Sequence, residues 1–180
     1  MAIRDIILYQ DNEEILRKKS EPVPAVNRRI KKLIKDLKDT LAERPDGVGL
    51  AAPQIGVHSR VALVRLGGRS DGDQEPDPPI AIINPEIIEA GDEQKDFDGC
   101  LSLPGLFAET VRPHRLRVKG LDERGKPFDR IFEGFDAVVV HHEIDHLDGI
   151  LFIDRVESID DLYRVRENEE GELVRVPIAA

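Results

Sequence analysis

The segment from residue 135 to 147 constrains the fold most, because it combines helical spacing with apolar residues on two sides. One side carries Val140, Ile144 and Leu147, and the other carries Phe135, Val138 and Val139. A helix that is apolar on both sides is buried at the centre of a domain. The sequence therefore predicts a central helix over 135–147, ended by Gly149, with the other elements packed around it.

The same segment contains the pattern H-E-x-x-H, formed by His142, Glu143 and His146. One helical turn separates the two histidines, so both imidazoles can reach a single metal ion. Glu143 lies about 100° around the helix from His142, where its carboxylate can contact a water on the metal more easily than the metal itself. Stray histidines on a solvated helix are the alternative, but two buried imidazoles need partners and a metal supplies them.

A catalytic metal site of this kind uses three protein ligands and leaves one position open. The candidates for the third ligand are the single cysteine, Cys100, and the downstream carboxylates Glu157, Glu167 and Glu169. A lone cysteine is often an inert buried thiol. Cys100 lies in a turn of small residues and accompanies the H-E-x-x-H pattern, which favours it as the ligand.

Composition excludes several classes of protein. A chain of 180 residues with one cysteine has no internal disulfide and no zinc site that needs two thiolates. The net charge of −10 argues against DNA as a partner and against an anionic membrane surface. We find no apolar run of about 18 residues and no import signal in the first 14 residues, so we expect no membrane association and a cytoplasmic location.

Periodicity predicts the other elements of the chain. An amphipathic helix is expected over 27–42 and a surface loop over 67–79. Strands are expected over 61–66, 80–84 and 86–90 (the last two around a turn at Asn84-Pro85), 116–121 and 127–132 as a hairpin, and 162–166 and 173–178.

Three segments, in this order, resemble the motifs of the peptide deformylases. They are G-V-G-L-A-A-P-Q at 47–54, D-G-C-L-S at 98–102 and H-E-I-D-H at 142–146. The resemblance extends over about residues 4–156. It implies an α+β fold with antiparallel or mixed β-sheets wrapped around a central metal-bearing helix. Residues 1–156 are thus assigned to one catalytic domain, and 157–180 to an acidic tail that forms a strand or hairpin.

The resemblance also implies roles for individual residues. The metal ligands would be Cys100, His142 and His146, and Glu143 would be the general acid and base. The Gln54 side-chain amide and the Leu101 backbone N–H would form the oxyanion hole. Val48 and Gly49 would present backbone groups to an extended substrate. The apolar side of Phe135, Val138 and Val139 would receive a methionine side chain, with ordinary core packing as the alternative.

By this resemblance, the chain is a metal-dependent amidase that removes the formyl group from formyl-methionine on newly made polypeptides. One divalent metal per chain is expected, with Fe(II) as the native ion and Zn(II) or Ni(II) as substitutes in purified protein. Two rivals remain: an H-E-x-x-H metallopeptidase with a downstream third ligand, and a deformylase-like protein that binds metal or peptide without turnover. The presence of both Gln54 and Glu143 argues against the second rival.

The chain departs from the family pattern at two motif positions. Asp98 replaces a glutamate, with Arg112 as its expected partner, and His141 replaces a glutamine but is not expected to be a fourth ligand. Residues 157–180 carry seven acidic and three basic side chains, so any transient ribosome contact would not use a basic C-terminal tail. The number of subunits is left open.

Overall fold

The computed structural model describes residues 2–67 and 77–178. The α-helices in these ranges are α1 (Tyr9–Arg17), α2 (Arg28–Ala42) and α3 (Phe135–Leu147). The strands are β1 (Gly49–Ala51), β2 (Val61–Val64), β3 (Ile80–Gly99), β4 (Leu106–Leu121), β5 (Pro127–Glu133), β6 (Leu162–Glu167) and β7 (Leu173–Pro177). Short 3₁₀ helices cover Ala52–Ile55, Phe152–Arg155 and Ile159–Asp161. Most of the loop expected over 67–79 lies outside the described residues.

The seven strands form one sheet in the order β1-β2-β3-β4-β6-β7, with β5 also paired to β4. Each of these strand pairs is antiparallel. One edge of β4 pairs with β3, while its other edge pairs with β6 at residues 106–108 and with β5 at residues 115–121. The predicted α+β class is confirmed, and its antiparallel form is the one adopted.

Helix α3 occupies the centre of the molecule, as predicted. Every residue from Ala137 to Leu147 is buried. The helix packs against one face of the sheet through Val140 and Ile144, beside Leu116 of β4. Helix α2 covers the opposite face of β1 and β2 through Leu37, beside Leu63. Strand β2 is apolar at every position because both of its faces are covered.

Helix α2 begins one residue later than expected. Asn27 is its N-cap, and the Asn27 side chain accepts a hydrogen bond from the Ile30 N–H at 3.1 Å. The prediction of a turn at Asn84-Pro85 is wrong. These residues form an irregularity inside the continuous strand β3. Asn84 adopts a φ of 49°, and its amide oxygen and nitrogen bond to the backbone of Val23. The side chain thus stabilises a left-handed residue without reversing the chain.

Three elements go beyond what periodicity indicated. Helix α1 was not predicted. Only Leu16 is buried within it, so its sequence shows no apolar stripe of the kind that indicates a helix. Strands β3 and β4 are also longer than predicted and pair along residues 83–99 and 107–121. Strands β6 and β7 form a hairpin that joins the same sheet through β4. The boundary between a catalytic domain and a tail at 156/157 stays a prediction.

The exit from α3 gives a stability test. Gly149 has a φ of +74°, and an added Cβ would lie 2.1 Å from the Arg17 carbonyl oxygen. Gly149→Ala should therefore lower the free energy of unfolding by at least about 1–2 kcal/mol. Gly91→Ala is the matched control, since no neighbouring atom lies within 4 Å of a Cβ there. Urea unfolding at equal metal content measures both, and equal midpoints would contradict the steric argument.

Candidate active site

Three elements bring chemically active side chains to one place. Helix α3 supplies His142, Glu143 and His146, the turn after β3 supplies Cys100, and the 3₁₀ segment after β1 supplies Gln54. The ligand atoms of Cys100, His142 and His146 all lie within 4.8 Å of one another. The carboxylates of Glu157, Glu167 and Glu169 are not part of this group.

The donor geometry fits one divalent cation. The Nε2 atoms of His142 and His146 are 3.0 Å apart, and the Cys100 Sγ lies 3.3 Å from the His146 Nε2. Two imidazole nitrogens facing each other at this distance need a proton or a cation between them. Burial and the neighbouring His142 lower the pKa of His146 well below its usual value, so this ring is neutral. Neutral imidazole and thiolate are the ligand types that zinc and iron accept.

Asp98 orients His142. The His142 Nδ1–H donates to the Asp98 carboxylate at 2.7 Å, which leaves the Nε2 lone pair for the metal cluster. Asp98 is buried, and its second oxygen accepts from Thr110 and from the Arg112 Nε, each at 2.8 Å. Burial opposes ionisation, but the contacts from His142 and from the Arg112 guanidinium outweigh it and hold the Asp98 pKa below its ordinary value. The expected pairing of Asp98 with Arg112 is confirmed.

Arg112 connects this carboxylate to a wider buried network. Its Nη1 donates to the Asp145 carboxylate and to the His141 Nδ1, both at 2.7 Å. Arg155 donates two further hydrogen bonds to Asp145, at 3.0 and 2.8 Å. Burial lowers the pKa of His141 to about 4, so its neutral ring accepts from Arg112. His141 lies outside the three-residue metal group, as expected.

Asp145, Arg155 and Thr110 were missed by the sequence analysis. Alternate residues of β4, Ala108, Thr110 and Arg112, are all buried, and this alternation is the one signal that could have indicated the network.

Glu143 is buried against the backbone of Gly49. A Cβ at Gly49 would lie 2.4 Å from the Glu143 Oε1, so only glycine leaves room for the carboxylate. Burial raises the pKa of Glu143 to about 7. Within the described residues, Oε2 has no hydrogen-bond partner. A carboxyl group with this pKa and a free oxygen can accept and return a proton near neutral pH.

The Gln54 side chain is held in one orientation. The Ala51 N–H donates to the Gln54 Oε1 at 2.9 Å, which turns the amide nitrogen toward the metal group. That nitrogen donates to the Ser102 hydroxyl at 3.1 Å and toward the Cys100 Sγ at 3.5 Å. Ser102 is a contact that the sequence analysis did not identify. The fixed amide offers a hydrogen-bond donor beside the cluster.

These groups open into a cavity of about 830 Å³. The predicted substrate residues all line it, together with Gln54 and Leu101: Val48, Gly49, Phe135, Val138 and Val139. Val139 also belongs to the apolar core around α3, so the pocket and core interpretations both apply to it. Phe97 and Phe107 line the cavity too and were not predicted. The fold and site together define a hydrolase of the metal-dependent class.

Comparison with known proteins identifies the family. The sequence model of the polypeptide deformylases matches residues 3–161. The peptide deformylase of Heliobacterium modesticaldum is 47% identical over 160 residues, which are 88% of this chain and 97% of that protein. The peptide deformylase of Acetivibrio thermocellus is 43% identical over 178 residues, covering 97% of this chain and 98% of the relative. The crystal structure of peptide deformylase from Thermotoga maritima superposes with a TM-score of 0.77 at 37% identity, covering 88% of this chain and 100% of that one.

The chain therefore belongs to the polypeptide deformylase family. It is a hydrolase that removes the N-formyl group from formyl-methionine at the N-terminus of newly made polypeptides, releasing formate. The family is metal-dependent, and the Cys/His group described above can hold the ion. Among the described residues, no helix has the length and apolar character needed to cross a membrane.

The Asp98 contact to His142 gives a metal-affinity test. Asp98→Asn should weaken metal binding about 10–100-fold, because a neutral amide is a poorer acceptor for the imidazole N–H. Asp92→Asn makes the same chemical change at an exposed position of β3 and should leave metal affinity unchanged. Competition with a chelator measures both variants. Equal metal affinity in the two variants would show that the Asp98 contact to His142 does not affect metal binding.

Proposed function

We propose that Cys100, His142 and His146 ligate one divalent cation and that Glu143, Gln54 and Leu101 act on the formyl group. The observation that carries this proposal is the position of the Glu143 carboxylate and the Gln54 amide beside one three-donor cluster at one cavity. A divalent cation supplies Lewis-acid chemistry at such a site and lowers the pKa of water from about 15.7 to near 7.

Glu143 is proposed to move the protons of the reaction. Its unpaired Oε2 accepts a proton from water as the water attacks the formyl carbon. The same oxygen then gives that proton to the departing amine as the carbon–nitrogen bond breaks. The Glu143 pKa of about 7 supports both directions of transfer.

Gln54 and Leu101 are proposed to stabilise the negative charge that develops on the formyl oxygen. The support for Gln54 is its fixed amide, which needs no reorientation as that charge forms. Leu101 follows the proposed ligand Cys100 directly and lines the same cavity, which supports its backbone N–H as a second donor.

The substrate is proposed to lie extended along β1. This strand is at one end of the described sheet and pairs with β2 alone, which leaves its other edge for a peptide. Val48, which directly precedes β1, and Gly49 are proposed to offer backbone groups to the peptide, since both line the cavity. The Val48 carbonyl itself already accepts from the Arg65 N–H. The methionine side chain is assigned to the cavity wall formed by Phe135, Val138 and Val139 of α3.

The identity of the metal and the cellular setting are also proposals. Fe(II) is proposed as the native ion on family resemblance, and Zn(II) or Ni(II) suit the same thiolate and imidazole donors. The cytoplasm is the proposed compartment. A transient ribosome contact is proposed without a basic C-terminal tail, since residues 157–180 are acidic overall.

The ligand assignment is tested by Cys100→Ala. This variant should lose most of its metal and its activity together, because two imidazoles alone hold Fe(II) or Zn(II) weakly. Metal analysis after anaerobic purification and formate release from a formyl-Met tripeptide are the measurements. Cys100→Asp is the matched control, since a carboxylate can still coordinate and should retain more metal. Full metal content and activity in Cys100→Ala would overturn the ligand set.

The proton-transfer role is tested by Glu143→Gln. The variant should keep its metal and fold but lose about 10²–10⁴-fold in kcat, the usual contribution of a general acid and base. Glu93→Gln, at an exposed position of β3, should behave as the parent protein. A loss of metal that matches the loss of activity would assign Glu143 a structural role instead.

A further inference from the structure

The C-terminal hairpin, β6 and β7, reaches the cavity through one row of paired residues. Gly99 of β3 pairs with Phe107 of β4, and Phe107 pairs in turn with Tyr163 of β6. Gly99 directly precedes Cys100. The row therefore connects the hairpin to the residue next to a proposed metal ligand. The match to the family model ends at Asp161, immediately before this hairpin.

The Phe107 ring is held between its two neighbours in this row. A Cβ on Gly99 would lie 2.8 Å from the ring, so Phe107 occupies the space of a missing side chain. On the other side, Phe107 and Tyr163 stack with ring centroids 6.2 Å apart. Phe97 stacks on Phe107 at 5.4 Å. Phe97 and Phe107 both line the cavity, whereas Tyr163 is buried behind them.

Arg175 of β7 fixes Tyr163 from the outer side. Its guanidinium lies over the Tyr163 ring, 4.4 Å from the centroid, and donates to the Glu109 carboxylate of β4 at 2.8 Å. Lys95 of β3 forms a 2.8 Å ion pair with Asp161, which tethers the chain where it enters β6. The hairpin is thus fastened to both long strands that carry the aromatic wall.

We propose that the C-terminal hairpin is a positioning element for peptide selectivity. Tyr163, fixed by Arg175, holds Phe107 and Phe97 as an apolar wall for the residues that follow formyl-methionine. The methionine itself is assigned to the wall from α3, and the Phe97–Phe107 wall comes from β3 and β4. This inference rests on the proposed substrate path, and Tyr163 and Arg175 act through Phe107 without contacting the substrate.

The test compares three variants on three substrates. Tyr163→Leu keeps an apolar side chain but removes the ring, Arg175→Gln removes the guanidinium, and Arg166→Gln changes an exposed arginine on the same hairpin as a control. The substrates are formyl-Met-Leu-Phe, formyl-Met-Gly-Gly and formyl-Met amide. Metal content and melting temperature are recorded for each variant.

Tyr163→Leu should raise KM for formyl-Met-Leu-Phe about 3- to 10-fold, the effect expected for one aromatic pair. Arg175→Gln should raise it about 2- to 5-fold, the effect expected for an exposed cation–π contact. Their kcat and KM for formyl-Met amide should be those of the parent, and Arg166→Gln should match the parent on every substrate. If Tyr163→Leu fails to fold, Arg175→Gln carries the test, because its side chain is 60% exposed.

Two results would overturn the positioning role. One is an unchanged KM for formyl-Met-Leu-Phe in Arg175→Gln. The other is an equal loss on all three substrates, which would indicate general destabilisation of the site. Failure of the proposed function gives a different pattern, since the parent protein would then release no formate from formyl-Met amide.

Discussion

The contact between Arg112 and Asp98 is the interaction on which the site depends. Both side chains are almost fully buried, so neither charge is stabilised by water. Desolvating two ions is costly, and further hydrogen bonds to both side chains offset that cost, although the Arg112 Nη2 has no partner among the described residues. Asp98 accepts from His142 and Thr110, while Arg112 also donates to Asp145 and His141. Losing the Arg112 charge would leave Asp98 buried without a cationic side chain beside it, at a cost of about 3–5 kcal/mol, whereas Arg112 would keep Asp145 if Asp98 were lost.

This network also joins β4 to α3. Arg112 and Thr110 project from the strand, and Asp145 and His141 project from the helix. The helix therefore cannot rotate without breaking charged hydrogen bonds inside the core. Since His142, Glu143 and His146 lie on the same helix, the ion network sets their direction as well. Burial also sets the proton affinity of Glu143. The same water-excluding interior in which Arg112 must be paired raises the Glu143 pKa to about 7.

The sequence predicted the site better than the sheet that supports it. Periodicity located α3, and the three motifs selected Cys100, His142 and His146, which the fold brings within 4.8 Å. The first half of β4 was missed because Thr110 and Arg112 face the core there. Polar residues at buried positions interrupt the alternation of apolar and polar residues by which a strand is predicted. The distal part of β3 reads G-D-E-Q-K-D and is held by pairing to β4, not by its own apolar content. Such non-local pairing leaves no signal in the strand itself.

The acid at position 98 is one methylene shorter than the glutamate of the family motif. Asp98 still reaches His142 at 2.7 Å and Arg112 at 2.8 Å. Its backbone is fixed by pairing with Ala108, one residue from the Gly99–Phe107 pair. The row that runs from Gly99 through Phe107 to Tyr163 therefore supports the same turn that presents Cys100.

Two supports of different chemistry meet at this turn. One is the buried ion network from β4 and α3, and the other is the aromatic stack from the hairpin. The first orients His142 beside the Cys/His group, and the second is the support that we propose for the aromatic wall.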